Sequence, residues 1–203
     1  YDPTKDVQLY TVGTMPRRGQ APGRICPSHF GGKNWEPTAY NPELQLIYIP
    51  GIEGCNYLEN QEQKDMADQG GPVQWRSRFA GGGQKSPERL YGSLKAVDPA
   101  TGDTKAALKL EYPNYSGALA TAGNLVFIGH ADGTLTAHDA KTLKEVWSFS
   151  VGSGINAPPI SYSVNGKQYI AVLVGSRQSI NVLQNAPELK NTATASMLYV
   201  FGL

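Results

Sequence analysis

The sequence lacks both a long hydrophobic run and a surplus of charge of either sign. No apolar segment reaches the roughly 18 residues that a membrane-spanning helix needs, so we expect no membrane span. The 203 residues include 18 basic and 17 acidic side chains, and a net charge of +1 gives no electrostatic reason to expect nucleic-acid binding. The sequence opens with no signal peptide and does not begin with methionine, so we expect a piece of a longer protein.

Metal-binding and haem-binding patterns are also missing. The chain has only two cysteines and three histidines, with no CxxC, no CxxCH haem motif and no spacing typical of a metal site. The histidines, His29, His130 and His138, are scattered along the chain. We therefore assign no metal ligand in this sequence.

Glycine and proline are abundant, with 23 and 14 copies, which suits many tight turns. The segment Leu119–Trp147 shows one structural unit almost complete. Within it, Leu125–Gly129 is a short apolar run, Asp132-Gly133 supplies a turn, and Thr134–Asp139 alternates polar and apolar side chains. Val146–Val151 alternates in the same way. The pattern predicts three antiparallel strands in a meander, which is most of a β-propeller blade.

The unit recurs in the sequence. Leu94–Gly102 matches Leu135–Leu143 at an offset of 41 residues, a period typical of four-stranded blades. In both copies an Asp can accept backbone N–H bonds in the turn, and in the second copy Trp147 could pack between blades. We expect an all-β fold of about two clear blades with partial strands at each end. A closed ring needs four to eight blades, so a companion portion is expected.

We expect a single domain over residues 1–203, a partial propeller that carries further strands. A loop is expected at about 59–90, and a polar loop at 176–195. The dipeptide Asn165-Gly166 predicts a hairpin between two alternating runs. The remaining predicted strands are Val7–Val12, Leu44–Ile49 (ending at Pro50-Gly51), Pro159–Val164, Gln168–Gly175 and a closing strand, Ser196–Leu203.

Four segments resemble the quinoprotein alcohol dehydrogenases, which use pyrroloquinoline quinone (PQQ) and fold as eight-bladed propellers. They are GGKNWEPTAYNP (Gly31–Pro42), LATAGNLVFIGHADGTLTAHDAKT (Leu119–Thr142), NGKQYIAVLVG (Asn165–Gly175) and MLYVFGL (Met197–Leu203). The resemblance implies the C-terminal portion of such a propeller.

The resemblance also implies where the cofactor would lie. PQQ is a flat quinone with three carboxylates, so it needs apolar faces and in-plane hydrogen-bond donors. The family places Asn34, and with it Trp35, at the PQQ edge; alternatively Trp35 packs between blades and Asn34 belongs to a turn. Tyr115 stands where many members have a tryptophan against the quinone. Ser176 and Arg177 replace a Gly-Trp pair, and Arg177 is either a PQQ-carboxylate ligand or an ordinary loop charge.

A cysteine pair flanks the Asn-Trp segment in this family, so the resemblance implies a disulfide between Cys26 and Cys55. In the chain-entropy model, a disulfide that closes a loop of about 30 residues would stabilise the fold by roughly 3 to 4 kcal/mol. A reactive thiol is the alternative. A disulfide implies an oxidising compartment, and the family implies the bacterial periplasm.

In this family the ligands of a Ca²⁺ or lanthanide ion and a catalytic Asp lie in earlier blades. We therefore expect both outside this chain and assign no catalytic residue within it. His29 is a candidate for lining the site. The expected reaction converts a small alcohol to an aldehyde or ketone and passes electrons to a cytochrome c-type acceptor. The alternatives are a non-catalytic propeller scaffold and a quinoprotein sugar dehydrogenase.

Overall fold

The structure is a computed structural model that describes residues 4, 21, 23–28, 30–58, 84–85, 88–175, 186–191 and 195–202. The chain divides into two compact units, the first comprising Tyr1–His29 and Gly54–Glu88, the second Phe30–Glu53 and Arg89–Leu203. In chain order the strands are β1 (Gly23–Ile25), β2 (Ala39–Asn41), β3 (Leu46–Glu53), β4 (Asn56–Leu58), β5 (Gln84–Lys85), β6 (Tyr91–Val97), β7 (Thr104–Leu110), β8 (Ala118–Ala120), β9 (Leu125–Gly129), β10 (Thr134–Asp139), β11 (Glu145–Ser150), β12 (Ile160–Val164), β13 (Lys167–Val174) and β14 (Met197–Gly202).

The described part of the first unit contains a small antiparallel sheet in the order β1-β4-β5. Cys26 directly follows β1, and Cys55 directly precedes β4; the two form a disulfide with their Cα atoms 4.6 Å apart. The predicted disulfide is therefore confirmed. On the surface of the same unit, the Arg24 guanidinium donates two hydrogen bonds to the Glu88 carboxylate, at 2.6 and 2.9 Å.

The described residues of the second unit form three antiparallel sheets, each a set of neighbouring strands as in a propeller blade. The first sheet has the order β2-β3-β6-β7, the second β8-β9-β10-β11 and the third β12-β13-β14. The predicted meander of three strands is confirmed in the second sheet, and the short strand β8 adds a fourth. Two four-stranded sheets and one three-stranded sheet agree with the expected blade count.

The predicted turns are present, and their chemistry is as expected. Asp139 Oδ1 accepts hydrogen bonds from the backbone N–H groups of Lys141 and Thr142, at 3.2 and 2.8 Å. Asn165 and Gly166 join β12 to β13 with φ values of 51° and 77°, the left-handed pair that a two-residue hairpin requires. Short-range sequence signals therefore fix these strand ends.

The three sheets of the second unit pack face to face through two sets of apolar side chains. The first and second sheets share a cluster that includes Tyr48, Leu94, Val126 and Ile128, each fully buried. The opposite face of the second sheet packs against the third through two clusters, whose buried members are Leu135, Val151, Ile155, Val172, Val174, Phe127, Ala137 and Ile170. Alternate residues of β9 and β10 thus serve two different interfaces, which explains their two-sided hydrophobicity.

Four predictions about strands and loops need correction or lie outside the described residues. β3 continues through Pro50 to Glu53 instead of ending at Pro50. Ile52 donates its N–H to Gly32 O, on the side of β3 that faces away from β6. Pro50 lies two residues earlier, so its nitrogen points to the same side. Because proline has no N–H to donate, this position leaves the pairing of β3 with β6 intact. Within the predicted 59–90 loop, Gln84–Lys85 forms β5, and within the predicted 176–195 loop a 3₁₀ helix spans Pro187–Asn191. Val7–Val12 lies outside the described residues.

The outer face of the third sheet is apolar and exposed. It carries Ile160, Tyr162, Val164, Leu173, Leu198 and Val200, which are between 39% and 62% exposed. Strand pairing places these side chains on one face, opposite the face that packs on the second sheet. Apolar surface of this kind on a blade is typical of a face that a neighbouring blade covers.

Candidate functional site

The segment Gly31–Pro37 lies against the end of β3 and is held there through backbone contacts. Ile52 donates its N–H to Gly32 O at 2.8 Å. A Cβ added to Gly51 would lie 3.0 Å from the same Gly32 oxygen, so a side chain there would crowd the segment. Gly31 has a φ of 77°, which glycine adopts without strain. Gly51 on β3 therefore allows the backbone of the segment to approach the sheet closely, and Gly31 supplies the left-handed backbone beside it.

At its other end the segment contacts the loop that leads into β8. Ala118 donates its N–H to Pro37 O at 3.0 Å. Gly117 has a φ of 84°, and a Cβ there would lie 2.6 Å from Pro37 Cδ. Asn114 braces this loop, because its Oδ1 accepts the Gly117 N–H and its amide donates to Gly129 O. Both ends of the segment are therefore fixed to well-ordered strands of the second unit.

Between these two anchors, one side chain faces inward. Glu36 is 2% exposed, and its Oε2 accepts the backbone N–H of Asn34 at 3.2 Å. Its other oxygen, Oε1, is buried and has no hydrogen-bond partner among the described residues. The Lys33 ammonium lies 3.9 Å from Oε2 and donates to the carbonyl oxygens of Asn34 and Glu36. The charge of the buried carboxylate is thus balanced by a neighbour in the same segment.

Asn34 and Trp35 face outward from the same turn. Both are exposed, Trp35 to 60%, and the Asn34 side-chain amide makes no hydrogen bond to the described residues. An indole exposed to this extent fills no interface between the described strands of this chain, so both readings of Trp35, cofactor contact and packing against another blade, stay predictions. The turn therefore presents an amide, an indole N–H and an apolar ring face to the outside.

One further predicted site residue lies in a loop that contacts this segment. Tyr115 belongs to the loop that Pro37 contacts through Gly117, and its ring packs, half-buried, against Ala131, Ala186 and Leu189. The ring therefore uses part of its surface for packing. Ser176 and Arg177, like His29, lie outside the described residues, so their placement stays a prediction.

Two acidic residues of this region were missed from the sequence. The first is Glu36, for which an isolated acid between Trp and Pro gives no pattern. The second is Glu53, whose Oε1 accepts hydrogen bonds from the Lys95 ammonium and the Ser93 hydroxyl, both at 2.8 Å. The Lys95 hydrogen bond, with that of Ser93, lowers the pKa of the Glu53 carboxyl. Ser93 and Lys95 alternate on β6, so their common face was the one signal available.

The described part of the chain has neither a cluster of metal-binding side chains nor a membrane-spanning helix. No group of three or more His, Cys, Asp or Glu side chains is placed to hold a metal ion there. No helix within the described ranges is long and apolar enough to cross a membrane.

Comparison with known proteins gives several matches to PQQ enzymes. Residues 83–170 match the PQQ family model described as "Glucose/ethanol/alcohol dehydrogenase, beta-propeller domain". The chain is 41% identical to quinoprotein alcohol dehydrogenase PedE of Pseudomonas putida over 167 residues, which are 79% of this chain and 25% of that protein. It is 32% identical to the quinohemoprotein alcohol dehydrogenase of Comamonas testosteroni, over 92% of this chain and 27% of that protein.

The fold agrees with these matches. A solved europium-containing methanol dehydrogenase superposes with a TM-score of 0.73 and 28% identity, over 94% of this chain and 36% of that one. The chain spans only about a quarter of the length of the curated relatives it matches. This partial coverage agrees with the blade count. The chain thus forms part of a β-propeller and is similar, over most of its length, to part of the quinoprotein alcohol dehydrogenases.

Proposed function

We propose that this chain forms one wall of the PQQ pocket in a PQQ- and metal-dependent dehydrogenase that oxidises an alcohol to an aldehyde or ketone. The similarity to quinoprotein alcohol dehydrogenases supports the reaction class. One structural observation supports the role of this chain: the turn that carries Asn34 and Trp35 is anchored at both ends while both side chains are exposed.

The donor set of this turn fits one edge of PQQ. A planar polyanion needs in-plane donors and an apolar surface against its ring, and the Asn34 amide with the Trp35 indole offers both. The Lys33 ammonium adds positive charge to the same turn, although its hydrogen bonds go to backbone carbonyls. Tyr115, Ser176 and Arg177 complete the set of proposed contacts. We assign no catalytic role to these residues, because their proposed task is to bind and orient the cofactor.

When bound with its Ca²⁺ or lanthanide ion, PQQ supplies the two-electron oxidant for the alcohol. We propose that the metal ligands and the catalytic base lie in the remaining part of the ring, outside residues 1–203. One feature of the third sheet supports a companion portion: its outer face is apolar and exposed. That portion is the proposed main partner of this chain.

We further propose a periplasmic location and a cytochrome c-type electron acceptor. The disulfide between Cys26 and Cys55 supports an oxidising compartment. The sequence has no CxxCH haem motif, so the electrons would leave this part of the protein to a separate haem.

Reconstitution of the assembled propeller tests the proposal. The protein is incubated with PQQ and either Ca²⁺ or a lanthanide, and dye reduction is followed with a panel of primary and secondary alcohols and of aldose sugars. Reduction with alcohols is expected. Activity with aldoses alone would identify a sugar dehydrogenase, which the description of the matched family model also covers. Failure to retain PQQ, with no reduction by any substrate, would contradict the proposal and favour a scaffold.

A further inference from the structure

Glu36 is a buried carboxylate in the same turn as the two side chains that we assign to the cofactor. It is 2% exposed, and its Oε2 accepts the Asn34 backbone N–H. Its partner oxygen Oε1 is buried and makes no hydrogen bond to the described part of the chain. The bond to Asn34 thus connects an inward-facing side chain to the backbone of an outward-facing one.

The stability of the fold does not explain this arrangement. Burying a carboxylate oxygen without a partner is unfavourable, and an apolar side chain of similar volume often replaces a buried charged group at no cost in stability. The nearby Lys33 ammonium, at 3.9 Å, offsets the charge but leaves Oε1 unpaired. A polar group retained under such conditions is more easily explained by the conformation that it imposes on its neighbours.

The segment is also held at both ends without Glu36. Gly32 O accepts the Ile52 N–H, and Pro37 O accepts the Ala118 N–H, so the ends stay attached to β3 and to the start of β8. What Glu36 adds is an inner contact in the four residues between these anchors. Loss of that contact would free the orientation of Asn34 and Trp35 while the segment as a whole remains attached.

We propose that Glu36 is a positioning residue, which holds the Asn34 backbone so that the Asn34 amide and the Trp35 indole present to PQQ as a preformed edge. This inference rests on the proposed function. Preorganisation of this kind increases affinity because the ordering cost of the turn is met before the ligand binds. Glu36 itself makes no contact with the cofactor in this arrangement.

The test measures the PQQ dissociation constant of the assembled propeller with the variants Glu36→Gln and Glu36→Leu. The Gln side chain keeps an oxygen that accepts the Asn34 N–H, so we expect binding within about threefold of the wild type. The Leu side chain removes the acceptor, and we expect binding at least about tenfold weaker with a melting temperature within about 3 °C. Glu43→Gln, which makes the same charge change in the exposed loop between β2 and β3, serves as the control and should bind normally.

A multiple variant separates positioning from a general structural effect. If Glu36 acts through Asn34 and Trp35, then adding Glu36→Leu to the pair Asn34→Ala and Trp35→Ala should weaken PQQ binding no further than that pair alone does. Additive losses would overturn the proposal. Wild-type affinity in Glu36→Leu, or unfolding of that variant, would also overturn it, the latter by assigning Glu36 to the stability of the fold.

Hydrogen exchange of the Asn34 backbone N–H distinguishes this proposal from the proposed function. Exchange in the cofactor-free protein should accelerate at least about tenfold in Glu36→Leu and stay near the wild-type rate in Glu36→Gln. If the wild type fails to bind PQQ but shows this pattern, the cofactor assignment is wrong and the holding role of Glu36 stands. Unchanged exchange in Glu36→Leu would contradict the holding role itself.

Discussion

The indole of Trp147 and the ring of Phe201 meet edge to face across the boundary between the second and third sheets, with ring centroids 5.3 Å apart and an interplanar angle of 79°. Trp147 lies on β11 and Phe201 on β14, so the pair joins two blades, as the sequence repeat predicted for Trp147. Phe149 adds a second edge contact to Phe201 at 5.3 Å. These rings close the outer part of the interface whose inner part is aliphatic.

We expect Trp147→Ala and Phe201→Ala each to lower the free energy of unfolding by about 1 to 3 kcal/mol, less than for fully buried rings because both side chains keep some exposure. A double-mutant cycle in urea should give a coupling energy of about 0.5 to 1.5 kcal/mol. Additive losses would show that the two rings do not interact across the interface. Tyr162→Ala, on the outer face of the third sheet, is a control for ring removal without this contact.

Two glycines with left-handed backbones separate conformational strain from crowding. Gly117 and Gly102 have φ values of 84° and 77°, but a Cβ on Gly117 would lie 2.6 Å from Pro37, whereas a Cβ on Gly102 would meet nothing within 4 Å. Gly102→Ala should therefore destabilise the protein by about 1 to 2 kcal/mol through backbone strain alone. Gly117→Ala should cost more and should also weaken PQQ binding, since it displaces Pro37. Thermal unfolding and PQQ titration of both variants check this, and equal effects would contradict the contact.

The buried His138, the buried Thr136 and the half-buried His130 form a hydrogen-bonded chain on the side of the second sheet that packs on the first. Thr136 Oγ1 lies 2.8 Å from His130 Nε2 and 2.8 Å from His138 Nε2, and His138 Nδ1 lies 3.1 Å from Leu143 O. A carbonyl can only accept, so we assign the proton of neutral His138 to Nδ1. The Thr136 hydroxyl then donates to His138 and accepts from His130.

These hydrogen-bonded histidines predict that the protein loses stability in weak acid. Burial lowers the pKa of both His130 and His138, and the charge of Asp132 only partly counteracts this for His130. The unfolded chain therefore binds more protons than the folded one below about pH 6.5, and the free energy of unfolding should fall as the pH decreases from about 7 to 5. Above about pH 7 both histidines are neutral in the folded and the unfolded protein, so they cause no further change in the free energy of unfolding. Urea unfolding across this range checks the slope.

Replacement of the histidines provides the control for that slope. His130→Gln and His138→Gln should each flatten the dependence between about pH 5 and 7, where carboxyl groups with ordinary pKa values stay ionised. The double variant should be nearly flat in this window. An unchanged slope in the double variant would show that other groups carry the pH dependence.

The sequence was most informative where the structure is local. The turns at Asp132-Gly133 and Asn165-Gly166 need left-handed backbone, and few residues other than Gly, Asn and Asp supply it, so the hairpins around them were predicted almost to the residue. The strands β9 and β10 were predicted with their observed bounds because alternation and turn signals agree.

Features that depend on distant parts of the chain were not predictable from local patterns. The extension of β3 beyond Pro50 depends on pairing with β6, about forty residues later, and on the acceptor Gly32 O. The inward orientation of Glu36 depends on anchors at Ile52 and Ala118. The family resemblance suggested Asn34 and Trp35. It gave no sign of Glu36, because no local signal distinguishes an acid that is buried from one that is solvated.

The most direct test is a crystal structure of the assembled propeller with PQQ bound. The proposal predicts that the Asn34 side-chain nitrogen lies within hydrogen-bond distance of a PQQ oxygen, about 3 Å, with the Trp35 indole beside the cofactor. A cofactor bound elsewhere in the ring, with Asn34 facing bulk solvent, would contradict it.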